Sequence, residues 1–231
     1  LEKEPGATDG REELSKRLTA EQASLAALRE RMEASHPDVV KSQNVVAIFD
    51  NSFFIDGGTL GWAQNAVPSD SIALFLGASV ILKRLDFFQN TTLIDILLNR
   101  RKGHTIILLG GSDVKHEAEA LCRHFQNSKI LSFVGKTTLQ QSAALIKRSQ
   151  LFIGPDSGLM HLANAVGTPV IAIFGPTNHQ KWGPRGEGSK IFSLRVECSP
   201  CSRYSYTLPT CHKSYKCMKK LDINGISNFL W

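Results

Sequence analysis

The chain has 231 residues, of which 42% are hydrophobic and 21% charged; that balance excludes wholesale disorder and suits one large domain, or one domain with an appendage. No run approaches ~18 consecutive apolar residues, which excludes a transmembrane helix. The net charge of +6 is unevenly spread: residues 1–40 hold six basic against nine acidic side chains, and residues 181–220 hold nine against two. The second stretch attracts anions, whether nucleic acid, an acidic membrane surface or a phosphorylated substrate.

The opening Leu1-Glu2-Lys3-Glu4 has neither the basic flank nor the apolar run of a signal peptide. It also lacks an initiator Met, so the sequence reads as a piece of a longer chain. Residues 11–35 are expected to form a surface helix lying against its own domain. Leu14 and Leu28, with Leu18, Leu25 and Met32, recur at spacings of three and four, and Glu12–Lys16 and Glu13–Arg17 are favourably ordered pairs. His36-Pro37 ends it. Residues 1–40 are therefore a helical extension. Residues 41–69 read as a linker or an incomplete N-terminal segment, with a strand over Val45–Phe49 and a glycine turn at Gly57-Gly58.

From residue 70 the pattern is regular. Apolar runs at Ile72–Leu76, Thr105–Leu109, Ile130–Val134, Leu151–Gly154 and Pro169–Phe174 alternate with helical periods around Leu93–Leu98, Glu117–Phe125, Leu139–Lys147 and Leu159–Val166. That alternation predicts βαβ units and an α/β fold, a Rossmann-like doubly wound parallel sheet spanning residues 70–231. Ligands of such sheets bind at the carboxyl ends of the strands, so the loops there are the candidate site.

Five loops qualify. Gly154-Pro155-Asp156-Ser157-Gly158 leads a strand into a helix capped by Asp156 or Ser157; its first N–H groups make an anion site, and His161 stands one turn in. Gly77-Ala78-Ser79 is followed by Lys83, which suits a phosphate oxygen. The glycine spacing fits neither a P-loop nor a dinucleotide fingerprint. In Gly110-Gly111-Ser112-Asp113 the carboxylate serves a ribose hydroxyl or caps the next helix, and spacing favours the cap. Thr138, after Gly135-Lys136-Thr137, is an N-cap. Phe174-Gly175-Pro176-Thr177, followed by Lys181-Trp182-Gly183-Pro184, forms a rigid loop.

Residues 198–217 form a cysteine-rich unit. Cys198-x2-Cys201 suits half a zinc knuckle, and Cys198, Cys201, Cys211 and Cys217 together can close a tetrahedral structural zinc site, with His212 as a spare ligand. Free thiols and disulfides are the other readings. Cys122 reads as core, and a short helix is expected to start at Asp222.

Taken together these loops resemble the C-terminal, donor-binding half of family 9 glycosyltransferases, the bacterial ADP-heptose:lipopolysaccharide heptosyltransferases. The likeness rests on Gly77-Ala78-Ser79 with Lys83-Arg84, Leu109-Gly110-Gly111 and Val134-Gly135-Lys136-Thr137-Thr138-Leu139. More specific still are Ile153–Ala163, and Gly167-Thr168-Pro169-Val170 through Phe174-Gly175-Pro176-Thr177. It covers roughly residues 70–220, and the cysteine cluster also occurs in many such sequences.

The resemblance implies a two-domain GT-B fold in which this half holds the nucleotide sugar, ADP-heptose, for transfer to a lipopolysaccharide core or other glycan acceptor. Ser79 and Lys83 would contact the pyrophosphate. Asp156, Ser157 and Gly158 would take the phosphates and the sugar, with His161 beside them, and Asp113 and Thr137 would line the nucleoside pocket. No catalytic cofactor is required: a lysine and helix N–H groups offset the charge growing on the leaving diphosphate.

Such an enzyme is expected in the cytoplasm, peripheral at the inner face of the inner membrane through the basic stretch. Nucleic acid is not an expected partner, since only Tyr204, Tyr206 and Tyr215 offer stacking there. Two departures stand out. Leu85 replaces the usual Trp, implying a looser contact, and residues 1–69 contain no recognisable acceptor-side base; Asp50 and Asp56 are present and neither is assigned. The competing expectation is a non-catalytic nucleotide-sugar binding module, or a fragment without the acceptor domain.

Overall fold

The computed structural model describes residues 16, 19, 55–78, 80–126, 129–201, 211 and 213–230. The helix expected over 11–35, the strand at Val45–Phe49, Asp50, Ser79, Tyr204, Tyr206 and His212 lie outside the described residues.

Six strands form one parallel sheet: β1 (Ile72–Phe75), β2 (Ile106–Leu109), β3 (Ile130–Ser132), β4 (Leu151–Pro155), β5 (Val170–Phe174) and β6 (Lys190–Ser193). Their order is β3-β2-β1-β4-β5-β6, the doubly wound arrangement expected of a Rossmann-like unit. In register Ile72 stands beside both Ile106 and Leu151, and Phe152 beside Val170.

Both sheet faces are buried, which is why these strands read as continuous apolar runs. One face, through Ile72, Leu74, Ile106 and Leu108, packs on α2 (Phe87–Arg100), α3 (Lys115–His124) and a 3-10 segment Ile223–Phe229. The other, through Ala73, Ile107, Phe152 and Phe174, packs on α1 (Gly57–Ala66), α4 (Leu139–Arg148) and α5 (Gly158–Ala165). Short helices α6 (His179–Trp182) and α7 (Lys216–Lys219) follow β5 and the cysteine-rich segment.

Three local signals hold. Thr138 caps α4 in a capping box with Gln141, Asp222 caps the last 3-10 segment, and Cys122 is half-buried against the core. Three differ. Gly57-Gly58 do not form a turn but begin α1, because Asp56 accepts from the Thr59 N–H at 2.7 Å and its hydroxyl at 2.9 Å; these bonds hold its carboxyl below the usual range. The C-terminal part of the segment read as a linker therefore covers a sheet face. Lys190–Ser193 pairs at the sheet edge, half-exposed, so it carries no apolar run. Leu85 is buried within the core cluster.

Candidate functional site

The strand order reverses between β1 and β4, which run side by side. The crevice above their carboxyl ends is where a doubly wound sheet binds ligands. After β1 the chain turns through the 3-10 segment Ile81–Lys83, whose Lys83 N–H donates to the Val80 carbonyl at 3.0 Å. Lys83 is thereby buried at 5% exposure and its Nζ reaches Asp156 Oδ2 at 2.7 Å. Asp156, at 1% exposure, is fixed from behind by its N–H, which donates to the Ile173 carbonyl at 3.2 Å.

The cap of α5 is Ser157, whose Oγ accepts from the Met160 N–H at 3.4 Å. That division of labour leaves Asp156 for Lys83. A Cβ built on Gly158 would meet nothing within 4 Å, so the start of α5 faces open space. His161 Nε2 stands 3.9 Å from Asp156 Oδ1. Its ring meets Trp182 edge-on at 6.5 Å, and Lys181 Nζ sits 4.7 Å from the Trp182 centroid. The structure thus gathers Lys83, Asp156, Ser157, Gly158 and His161 around one crevice: a buried ammonium–carboxylate pair beside helix N–H groups, suited to a diphosphate carrying a hydroxyl-rich group.

Asp113 behaves differently. Spacing favours it as a helix cap, but the 3-10 segment at Ser112–Val114 and α3 both start without a side-chain cap. Its carboxylate is paired instead with Arg84 Nη2. Arg84 also donates to the Ala78 carbonyl through Nε at 3.2 Å and Nη2 at 2.8 Å, tying the loops after β1 and β2 together. Burial pushes the nearby Glu117 carboxyl up, opposed by the hydrogen bond from Asn90 and by the charge of Arg84. Thr137 is half-buried with its Oγ1 2.9 Å from Ser142 Oγ.

Sequence reasoning misses two groups here. Arg84 stands out only as part of a motif, and nothing in its spacing signals a bond to a carbonyl six residues back. Thr177, after β5, is buried, and its Oγ1 has no hydrogen-bond partner among the described residues.

The four late cysteines are free thiols bordering one pocket. Burial first, then the neighbouring thiols, push Cys217 up to about 11, and the same causes raise Cys201. As the side chains stand, Cys201 Sγ bonds the Cys198 carbonyl at 3.1 Å and Cys211 Sγ accepts from the Tyr215 N–H at 3.2 Å. Among the described residues no group of three or more His, Cys, Asp or Glu is arranged to hold a metal, so the expected zinc has no ready ligand set. No helix among those residues is long and apolar enough to cross a membrane.

A doubly wound sheet with a buried cation–carboxylate pair at its switch point defines a Rossmann-like ligand-binding unit. Glycosyltransferase family 9 (heptosyltransferase) matches residues 16–212, and the chain belongs to that family. Lipooligosaccharide heptosyltransferase 2 of Campylobacter jejuni is 33% identical over 133 residues, 54% of this chain and 40% of that protein. The family 9 glycosyl transferase structure from Veillonella parvula aligns with a TM-score of 0.60 and 20% identity, over 76% of this chain and 51% of that one. The E. coli heptosyltransferase WaaC with ADP gives 0.55 and 20%, over 74% and 47%. The chain thus spans about half the length of these relatives or less.

Proposed function

We propose that this chain is the donor-binding half of a heptosyltransferase, holding a nucleotide sugar, ADP-heptose, for transfer to a lipopolysaccharide core acceptor. The observation that carries the reading is the buried Lys83–Asp156 pair, 2.7 Å apart, at the mouth of α5. Membership of family 9 and the solved E. coli relative with ADP support the choice of nucleotide.

In transfer, the bond between the anomeric carbon and the diphosphate breaks while an acceptor oxygen bonds to that carbon and loses its proton to a base. Negative charge grows on the departing diphosphate. The Lys83 ammonium and the first N–H groups of α5 are fixed beforehand and so stabilise that charge without reorganising. Asp156 is an acceptor, suited to sugar hydroxyls rather than phosphate oxygens, and its first role is to hold Lys83 in place. His161 Nε2 stands 3.9 Å from the same carboxylate.

Arg84–Asp113 ties the loops after β1 and β2 together, and Asp113 and Thr137 are assigned to the nucleoside end. The basic stretch from Lys181 to Lys220 would meet an anionic acceptor or the inner membrane face. A second reading is a binding module that does not itself transfer sugar.

Calorimetric titration with ADP and with UDP tests the donor assignment. ADP is expected to bind in the micromolar range and UDP more weakly, with Lys83→Met and Asp156→Asn both removing ADP binding. A folded chain that binds neither nucleotide would sink the proposal. Binding by the chain without transfer to a truncated lipopolysaccharide acceptor would favour the module.

A further inference from the structure

The loop after β1 is closed on itself by one side chain. Arg84 Nε and Nη2 both donate to the Ala78 carbonyl, at 3.2 and 2.8 Å, and these two residues bracket the 3-10 segment that carries Lys83. Just beyond Arg84 the chain is held again: Asn90 Nδ2 reaches the Leu85 carbonyl at 3.5 Å and donates to Glu117 Oε1 at 2.7 Å. Both fastenings lead to the chain after β2, through Asp113 and through Glu117 on α3. Strand β1 lies between β2 and β4. The turn that presents Lys83 to Asp156, on the β4 side, is therefore anchored from the β2 side.

The same guanidinium fixes a second group. Arg84 Nη2 pairs with Asp113 Oδ2, although Asp113 is 54% exposed and caps no helix. The other oxygen, Oδ1, folds back over Gly111, where a Cβ would stand 2.5 Å from it. Gly111 has ordinary extended backbone, φ −76° and ψ 176°, so glycine is needed there for space and not for conformation. An exposed aspartate usually samples several rotamers, and ordering it costs free energy when a ligand arrives. Here the ion pair on one side and the gap left by Gly111 on the other have already chosen the position. The carboxylate is not used up, because it can accept about four hydrogen bonds and Arg84 supplies one. Two neighbouring sugar hydroxyls are donors of the matching kind.

We propose that Arg84 is a positioning residue for both ends of the donor. One guanidinium fixes the turn that carries Lys83 for the diphosphate, and it holds the Asp113 carboxylate, seated over Gly111, for the ribose hydroxyls. Arg84 itself need touch neither part of the ligand. The inference rests on the reading of the crevice as the donor site.

The test titrates the full chain calorimetrically with ADP and with 2′,3′-dideoxy-ADP. Hydrogen bonds to a charged acceptor should make the unsubstituted chain bind ADP about tenfold more tightly than the dideoxy compound, and Asp113→Ala should bring the two within about twofold. Arg84→Met, which keeps the apolar stem, should remove the same discrimination and weaken both nucleotides besides, because the Lys83 turn loosens. Added to Asp113→Ala, it should weaken both equally. Gly111→Ala displaces only an exposed carboxylate, so it should keep its urea midpoint and still lose discrimination. Discrimination that survives Gly111→Ala, or Arg84→Met in a folded chain, overturns the positioning role. A chain that binds ADP and dideoxy-ADP alike overturns the ribose contact while leaving the donor site standing. A folded chain that binds neither overturns the donor site, and this inference with it.

Discussion

The crevice at Lys83–Asp156 and the pocket of four cysteines share the loop after β1, through Lys83 in one and Leu82 in the other, yet they solve opposite problems. In the crevice a cationic and an anionic side chain are buried together, 2.7 Å apart. In the cysteine pocket burial together with repulsion from the neighbouring thiols pushes Cys217 up to about 11. Neighbouring residues therefore serve different sites: Leu82 faces sulfur while Lys83 faces carboxylate.

The largest break in that comparison is Asp156→Ala. It strands the Lys83 ammonium in the interior and should cost about 3–5 kcal/mol of stability, read as a lowered urea midpoint. The charge-free pair Lys83→Met with Asp156→Leu should regain most of that loss while still failing to bind ADP. Equal instability in single and double variants would mean that the pair is not a coupled unit.

Next is Gly175→Ala, whose Cβ would push the buried Met218 side chain aside; overpacking of this kind costs roughly 1–3 kcal/mol. Its unfolding midpoint should fall without any change in the Lys83–Asp156 coupling. Thiol chemistry gives a smaller signal. In the reduced, metal-free chain Cys217 should alkylate about 100-fold more slowly at pH 8 than a thiol of ordinary pKa, with the rate climbing about tenfold per pH unit toward 11. A rate that levels off near pH 9 contradicts the burial and repulsion described for it. The smallest effect belongs to Thr177→Val. Removing a buried hydroxyl that has no partner among the described residues should leave stability unchanged or slightly raised. A loss of ADP affinity in that variant would place the hydroxyl against the ligand.

Much of the fold is legible in the chain. Strands buried on both faces must be apolar throughout, so Ile72–Leu76, Leu151–Gly154 and Pro169–Phe174 announce themselves, as does the cap at Thr138. Helix α1 does not, because Gly57-Gly58 suggests a turn unless Asp56 is known to cap the residues after it. Strand β6 is hidden by its Lys190 and Ser193, which an edge position tolerates. Lys83, Asp156, Ser157, Gly158 and His161 meet in one crevice because their loops leave the carboxyl ends of adjacent strands, and loop position is readable once the strands are. Asp113 reads as a cap because spacing reports only what lies nearby along the chain, and its partner Arg84 comes from 29 residues away.

The sequence by itself determined the period of each element, the parallel sheet and the loops worth inspecting, since these follow from local apolar pattern and from the burial a doubly wound sheet imposes. Tertiary structure alone decided which charges pair. Lys83 and Asp156 are 73 residues apart, and only the switch in strand order brings the ends of β1 and β4 together. It alone decided, too, that the cysteine segment is fastened to the exit of β5, because carbonyl groups such as those of Gly175 and Pro176 exist at every residue and only folding selects the ones that Ser199 and Cys201 reach.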